Sequence, residues 1–242
     1  MNSILNFRDF SPLKTRENAA IRANKLFRSA APEYGTKDDF SRLHALNLDT
    51  IIDFREEDEK RPELTQTFNA QFPRQAAAIN VANLFDHNTF DLNHLTEENI
   101  DFYYQCIYEK LPTHFHHQYR TLIDCANRGE TMLFHCSAGK DRTGFGAYLL
   151  LSALDVHIDD IMEDYLRSND SAIALYEARK HEHEKMAGTQ IPKATIERLF
   201  GVKAAYLDTA LHTIQATHKT SDRYLTEALS ADIDAIRAHY LL

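Results

Sequence analysis

The sequence has no tryptophan, and its 242 residues include only three cysteines, seven glycines and six prolines. An odd and small cysteine set cannot build a disulfide framework, so Cys106, Cys125 and Cys136 are expected to be thiols in a reducing compartment. With so little glycine and proline there is no flexible linker, repeat or low-complexity stretch to divide the chain. Residues 1–242 are therefore read as a single domain, long enough to bury a sizeable core. No apolar run approaches the roughly 18 residues of a membrane span, so stable membrane insertion is not expected. Met1-Asn2-Ser3-Ile4-Leu5-Asn6-Phe7-Arg8 lacks a basic region followed by a long apolar stretch and is not a secretory signal peptide. The expected location is cytoplasmic, or outside the cell by a route without a cleavable signal. Cations are also in deficit: the net charge of −9 disfavours nucleic acid and anionic membranes as partners. Any attraction for phosphate must be local. Nothing in the sequence indicates an oligomeric state.

What the chain does have is His135-Cys136-Ser137-Ala138-Gly139-Lys140-Asp141-Arg142-Thr143-Gly144. Before it lies Thr131-Met132-Leu133-Phe134, rich in strand formers. After it lies Phe145-Gly146-Ala147-Tyr148-Leu149-Leu150-Leu151, which reads as a buried helix. A loop closing from a strand onto a helix N-terminus turns successive backbone N–H groups inward and forms an anion cradle, here over Ser137, Ala138, Gly139, Lys140, Asp141 and Arg142. The partial positive charge of such a loop favours the thiolate of a cysteine at its start. Arg142 offers two parallel N–H donors to phosphate, a fork that lysine lacks. Nucleophile, cradle and fork within one loop are what phosphoryl transfer to sulfur requires. The alternative for Cys136 is an inert core thiol in a strand–turn–helix corner.

The string His-Cys, five residues, then Arg-Thr resembles the signature of the cysteine-dependent protein tyrosine phosphatases. With Lys140-Asp141 before the arginine it is similar to the bacterial branch that contains the secreted mycobacterial and listerial enzymes with protein and lipid substrates. The resemblance extends along the chain through Asn6-Phe7-Arg8-Asp9, Leu26-Phe27-Arg28-Ser29, Ile51-Ile52-Asp53-Phe54-Arg55 with Glu59 and Arg61-Pro62, Asp164-Tyr165-Leu166-Arg167-Ser168-Asn169, Tyr206-Leu207-Asp208 and Asp222-Arg223-Tyr224-Leu225. It departs from that group at Phe10-Ser11-Pro12, where a Gly-Gly pair is usual, and at His218-Lys219-Thr220-Ser221, where Tyr-Gly-Ser is usual. The resemblance implies a phosphatase working through a phosphocysteine on phosphotyrosine, with phosphoserine, phosphothreonine and phosphoinositides as further substrates, and with neither metal nor cofactor.

Within that reading Cys136 attacks phosphorus and Arg142 holds two equatorial oxygens. Thr143 donates to the sulfur as it leaves, or caps the helix N-terminus. His135 orients the loop through backbone contacts, or is a hydrogen-bonded core histidine. Lys140 is a second cation for the cradle, as in lipid phosphatases that act on inositol rings, or a solvated lysine. The acid/base group is not marked by a motif, because the Trp-Pro-Asp loop of the common tyrosine phosphatases needs a tryptophan. Asp53, at the end of a strand that faces the site, is read as the acid/base. Its alternative is an ion pair with Arg55 or Arg61. Asp141, inside the cradle beside Arg142, is the other candidate for the acid, and with Asp53 in that role it shapes the loop and assists; Asp86, Asp91 and Asp101 rank lower. The runs holding His114, His116 and His117, and His181 and His183, lack the spacing of a zinc site and read as charged helical faces. The polar, helical stretch 171–190 is a candidate lid. Competing functions are a phosphoinositide-directed phosphatase, a phosphate-binding pseudophosphatase, and a thiol reductase using Cys125 as the resolving thiol.

Periodicity places the rest. Residues 1–30 read as loops and short strands, Ser41-Arg42-Leu43-His44-Ala45-Leu46 as helix, and Thr50-Ile51-Ile52-Asp53-Phe54 as a strand. Ala77-Ala78-Ile79-Asn80-Val81 is a second strand candidate. Stretches 97–110 and 115–128 carry helical spacing, with Phe102, Ile107 and Tyr108 on one face and Tyr119, Leu122 and Ile123 on another. From Ile158 the chain is almost wholly helical. The expected class is α/β, a central mostly parallel sheet flanked by helices, with a largely helical C-terminal half.

Overall fold

Three short, continuously buried runs form the centre of the sheet. In the computed structural model, which describes residues 1, 3–81, 84, 97–187 and 193–242, the strands are β1 (Arg8–Asp9), β2 (Leu26–Ser29), β3 (Thr50–Asp53), β4 (Arg74–Ala76) and β5 (Met132–His135). They form one sheet in the order β1-β2-β5-β3-β4, with β1 antiparallel to β2 and every other pair parallel. The helices are α1 (Lys37–Ala45), α2 (Pro62–Asn69), α3 (Glu97–His114), α4 (His116–Asn127), α5 (Asp141–Ala153), α6 (Ile158–Leu166), α7 (Ala172–Ala187), α8 (Lys193–Phe200), α9 (Ala204–His218), the short α10 (Ser221–Arg223) and α11 (Ile233–Tyr240).

Successive side chains of a strand point to opposite faces. Phe27, Ile51 and Leu133 pack on one side of the sheet with Leu43 of α1, Phe68 of α2 and Phe72. Leu26, Ile52, Met132 and Phe134 face the larger core on the other side, with α3, α4, α5, α9 and α11. Because both faces are covered, the parallel strands read as unbroken apolar runs rather than as alternating ones. Helix α5 is buried on all sides from Arg142 to Leu151, which is why its sequence shows no polar face. Thr36 and Asp39 close a capping box at the start of α1, and Pro62 opens α2 at a position where a missing N–H costs nothing.

Two local expectations change. The strand expected at 77–81 is instead Arg74–Ala76. Ala77 and Ile79 follow it, still donating to Asp53 O and Phe54 O at 2.9 and 3.0 Å, but as single bonds beyond the end of β3. On α3, Phe102 does not share a face with Ile107 and Tyr108. It is 57% exposed, and the inward stripe is Ile100, Tyr104, Ile107, Tyr108 and Leu111. Those positions follow the 3–4 spacing of one helical face, whereas Phe102 stands five residues from Ile107.

The register sets up the site. Ser29 and Asp53 both lie opposite His135, so β2, β5 and β3 end level with one another. Parallel strands that end together open a crevice at their carboxyl edge. The chain leaving β5 crosses it as residues 136–140 and enters α5.

Candidate active site

The crossing loop is shaped by what removes its carbonyls from the crevice. Asn6 Nδ2 donates to Ala138 O at 3.2 Å and Gly139 O at 2.9 Å. Arg28 Nη2 donates to Gly139 O at 2.8 Å, and Ala31 N to Ser137 O at 3.2 Å. With these oxygens held on the outer side, the peptide N–H groups are left to face inward, which is the geometry of an anion cradle. The braces are themselves braced. Asp164 of α6 accepts Arg28 Nη1 at 2.8 Å and Arg8 Nε at 2.6 Å, and Arg8 also donates to Asn6 Oδ1 at 2.5 Å. Burial favours the neutral acid at Asp164, but Arg28 and Arg8 outweigh it and hold the carboxyl below the usual range. Three sequence segments that resembled the phosphatases without evident chemistry, around Asn6, Arg28 and Asp164, thus converge as the frame of the loop.

Gly139 sits at φ 68°, in the left-handed region, and a Cβ there would lie 2.3 Å from Ser29 O. Gly139→Ala is expected to cost more than the roughly 1–2 kcal/mol of left-handed strain alone, because backbone of β2 must also move. A melting curve showing no loss of stability, together with unaltered phosphate affinity, would contradict this.

Cys136 begins the loop with its thiol free and only 2% of the residue exposed. Arg142, one residue into α5, has a divided guanidinium. Nη1 and Nη2 each donate at 2.6 Å to the two oxygens of Glu59, and Nη1 reaches Phe54 O at 3.1 Å and Ile79 O at 3.3 Å. Nε and the adjacent Nη2–H make no hydrogen bond among the described residues, so the side fork remains for a ligand. Ser137 Oγ donates to Glu59 Oε1 at 2.7 Å. Burial opposes the charge on Glu59, yet Arg142 and Ser137 bring its carboxyl down to about 2. Glu59 was one letter in the Asp-Phe-Arg segment of the sequence. Its role became visible only once the short helical turn Glu57–Glu59 was set beside the loop.

The acid/base reading of Asp53 gives way to its alternative. Its carboxylate accepts Arg55 Nε at 3.0 Å, Arg55 Nη2 at 3.0 Å and Arg55 N at 2.9 Å. Arg55 in turn donates to Glu33 at 2.5 and 3.1 Å, and Arg74 lies 3.3 Å from Asp53. Burial would raise the Asp53 carboxyl, but the neighbours prevail and hold it well below the carboxylate range. Of those neighbours we credit Arg55 rather than His135. Burial pushes the His135 imidazole down against the pull of Asp53, so the ring is neutral at physiological pH. A carboxylate so held has no proton to give near neutrality. His135 is a buried ring whose Nδ1 lies 3.2 Å from Cys136 O, in keeping with orientation rather than base chemistry.

Asp141, the first residue of α5, is different. Its side chain is 19% exposed, Tyr108 Oη donates to Oδ1 at 3.1 Å, and Lys140 Nζ lies 3.4 Å from Oδ2. Lys140 is neither solvated nor aimed into the cradle. Its ammonium meets Tyr104 Oη at 3.0 Å and the carbonyls of Leu199 and Gly201, at the C-terminal end of α8, at 2.9 Å each. Three donors have three acceptors. Burial lowers the ammonium against the attraction of Asp141. Thr143 is fully buried, and its Oγ1 has no hydrogen-bond partner among the described residues, so it does not cap the helix.

The remaining candidates fall outside. Asp101 is tied to Lys203, Tyr206 and Arg198 at 2.5, 2.5 and 3.1 Å. Asp86 and Asp91, and the side chains of His181 and His183, lie outside the described residues. His116 packs on Tyr224, and among the described residues no group of three or more His, Cys, Asp or Glu could hold a metal ion. Burial drives the Cys125 thiol up to about 12, so it offers no thiolate to resolve an oxidised Cys136. The stretch 171–190 is helical as α7 up to Ala187. Among the described residues no helix is long and apolar enough to cross a membrane.

A family model described as the tyrosine phosphatase family matches residues 1–242. A provisionally named tyrosine-protein phosphatase of Cupriavidus necator is 35% identical over 241 residues, 99% of this chain and 87% of that protein. The triple specificity protein phosphatase PtpB of Mycobacterium tuberculosis is 36% identical over 108 residues, 41% of this chain and 39% of its own.

Proposed function

The chain belongs to the tyrosine phosphatase family, and on that premise we propose that it hydrolyses phosphotyrosine through a phosphocysteine formed on Cys136. The observation that carries this reading is the half-occupied guanidinium of Arg142. Its end fork is clamped by Glu59 while its side fork is open beside a loop whose carbonyls at 137, 138 and 139 are turned away. A phosphoryl dianion fits such a cradle, with the inward N–H groups and the side fork on its equatorial oxygens.

The Cys136 thiolate attacks phosphorus in line with the ester oxygen. The sulfur–phosphorus bond forms as the oxygen–phosphorus bond breaks, and the leaving oxygen takes a proton from Asp141. In the second step Asp141 takes a proton from water, the water oxygen bonds to phosphorus, and the sulfur leaves as thiolate. The unpartnered Thr143 hydroxyl donates to it. Asp141 is the acid/base because it is the partly exposed carboxyl of the loop, whereas Asp53 is consumed by Arg55.

Lys140 was the ground for phosphoinositide turnover, and its three donors are occupied. Phosphotyrosine is accordingly the leading substrate. Activity on phosphoserine, phosphothreonine or inositol phosphates is secondary; the M. tuberculosis relative is named a triple specificity protein phosphatase. The presence of both Cys136 and Arg142 favours turnover over a binding-only role.

The test is hydrolysis of an aryl phosphate in reductant and chelator by wild type, Asp141→Asn and Asp53→Asn. Wild-type turnover is expected, with Asp141→Asn slowed about 10²–10⁴-fold and its basic limb flattened. Asp53→Asn is expected to keep that limb and to lose stability, on the order of 3–5 kcal/mol for a broken buried pair. Folded, reduced wild type without turnover would overturn the proposal. A phosphoinositide hydrolysed faster than a phosphotyrosine peptide would reverse the substrate order.

A further inference from the structure

The proposed acid does not stand alone. Tyr108 of α3 donates to Asp141 Oδ1 at 3.1 Å, and Tyr165 of α6 donates to Tyr108 Oη at 2.8 Å. A phenol has one proton. With Tyr165 supplying the bond into the Tyr108 oxygen, the Tyr108 proton is committed to the carboxylate. Both rings are buried, 0% and 1% exposed, and come from two different helices, α3 and α6. The approach of Tyr165 depends on Gly144, where a Cβ would lie 3.0 Å from the Tyr165 ring. The glycine after Arg-Thr thus admits a phenol to the first turn of the catalytic helix.

We infer that Tyr108, set by Tyr165, is a positioning residue for the acid/base carboxyl, fixing which oxygen of Asp141 carries the transferable proton. This rests on the reading of Asp141 as the acid. The better acceptor of a neutral carboxylic acid is its carbonyl oxygen, so the bond from Tyr108 makes Oδ1 the carbonyl and leaves the proton on Oδ2. When the proton has gone, the same bond stabilises the carboxylate that must next activate water. The charged groups facing Asp141 on its own chain segment are Lys140 and Arg142. Lys140 lies 3.4 Å from Oδ2 as an ion-pair partner, its shorter bonds going to Tyr104, Leu199 and Gly201. The titratable groups facing it from other elements are tyrosines: Tyr103, Tyr104 and Tyr108 on α3, Tyr119 on α4, Tyr165 on α6 and Tyr206 on α9. Burial raises Tyr108 and Tyr165 well above an ordinary phenol, so both remain donors throughout the working range.

The experiment is the pre-steady-state rate of phenol release from saturating phenyl phosphate as a function of pH, for wild type, Tyr108→Phe, Tyr165→Phe and Asp141→Asn. Removing a donor to the charged form weakens the acid, so the basic limb of Tyr108→Phe should move up by about one pH unit. Tyr165→Phe should move it in the same direction by less. Tyr108→Phe should also lose about tenfold more on phenyl phosphate than on 4-nitrophenyl phosphate, whose leaving group needs little protonation. If Tyr108→Phe fails to fold, the Tyr165→Phe profile decides. Limbs that superimpose on wild type in folded variants overturn the inference while Asp141 stands. A wild-type limb in Asp141→Asn removes the acid assignment, and the inference with it.

Discussion

Serine in place of Cys136 is expected to reduce aryl phosphate turnover by about 10⁴-fold or more. The substitution keeps the size of the side chain and removes only the readily ionised sulfur. A serine hydroxyl would need a base within reach. The buried His135 points Nδ1 toward Cys136 O, Glu59 is held by Arg142, and Asp53 by Arg55. None of these three is free to take the proton, and Asp141 is placed for the leaving group and the water rather than for the nucleophile, so the oxygen nucleophile stays unactivated. The cradle is built from backbone and from Arg142 and does not depend on sulfur. Inorganic phosphate should therefore bind Cys136→Ser with unchanged or better affinity. Calorimetric titration with phosphate beside a turnover assay measures both. Turnover within tenfold of wild type would reject the thiolate mechanism, and lost phosphate binding in a folded variant would reject the cradle.

The second large effect concerns Arg142. Arg142→Lys is expected to lower kcat/KM by about 10³–10⁵-fold, the range seen when a guanidinium is removed from a phosphoryl-transfer site. An ammonium cannot satisfy Glu59, Phe54 O and Ile79 O on one side and a phosphoryl group on the other, because it has neither the planar fork nor enough donors. The clamp itself is tested by Glu59→Gln. An amide accepts at one oxygen only, so one leg of the bidentate contact and part of the charge balance are lost. The guanidinium is then free to turn. A loss of about 10–100-fold is expected, falling on kcat more than on KM, since the side fork is needed most when charge builds in the transition state. Equal losses in both parameters, or none, would show that Glu59 does not aim the fork.

Much of this was legible without coordinates. The loop from His135 to Gly144 carries its strand, its turn and its helix in consecutive residues, so local rules suffice to place nucleophile, cradle and arginine on one short segment. The parallel sheet was legible for a similar reason. Runs such as Thr50 to Asp53 and Met132 to His135 are buried on both faces and leave an unmistakable apolar signal. The strand near residue 75 lies before the apolar run at 77–81, because Arg74-Gln75-Ala76 is a half-exposed edge with no such signal. On α3 the apolar pattern misleads at Phe102, where a large apolar side chain is left in solvent.

The carboxylates divide the two kinds of knowledge most clearly. Sequence alone marked a phosphatase-like loop, with Cys136 and Arg142 as its expected chemistry, and a surrounding chain that is α/β and then helical. It could rank Asp53 and Asp141 only by position. Tertiary structure separates their surroundings: Asp53 meets Arg55 inside the core, while Asp141 meets a tyrosine from α3 at the edge of the loop. It likewise decided that Glu59 clamps Arg142, that Lys140 turns away toward α8, and that Asn6, Arg28 and Asp164 frame the cradle. Each of these joins residues far apart in the chain. An ion pair or hydrogen bond across such separations depends on where helices and strands pack, and no spacing within the sequence encodes that.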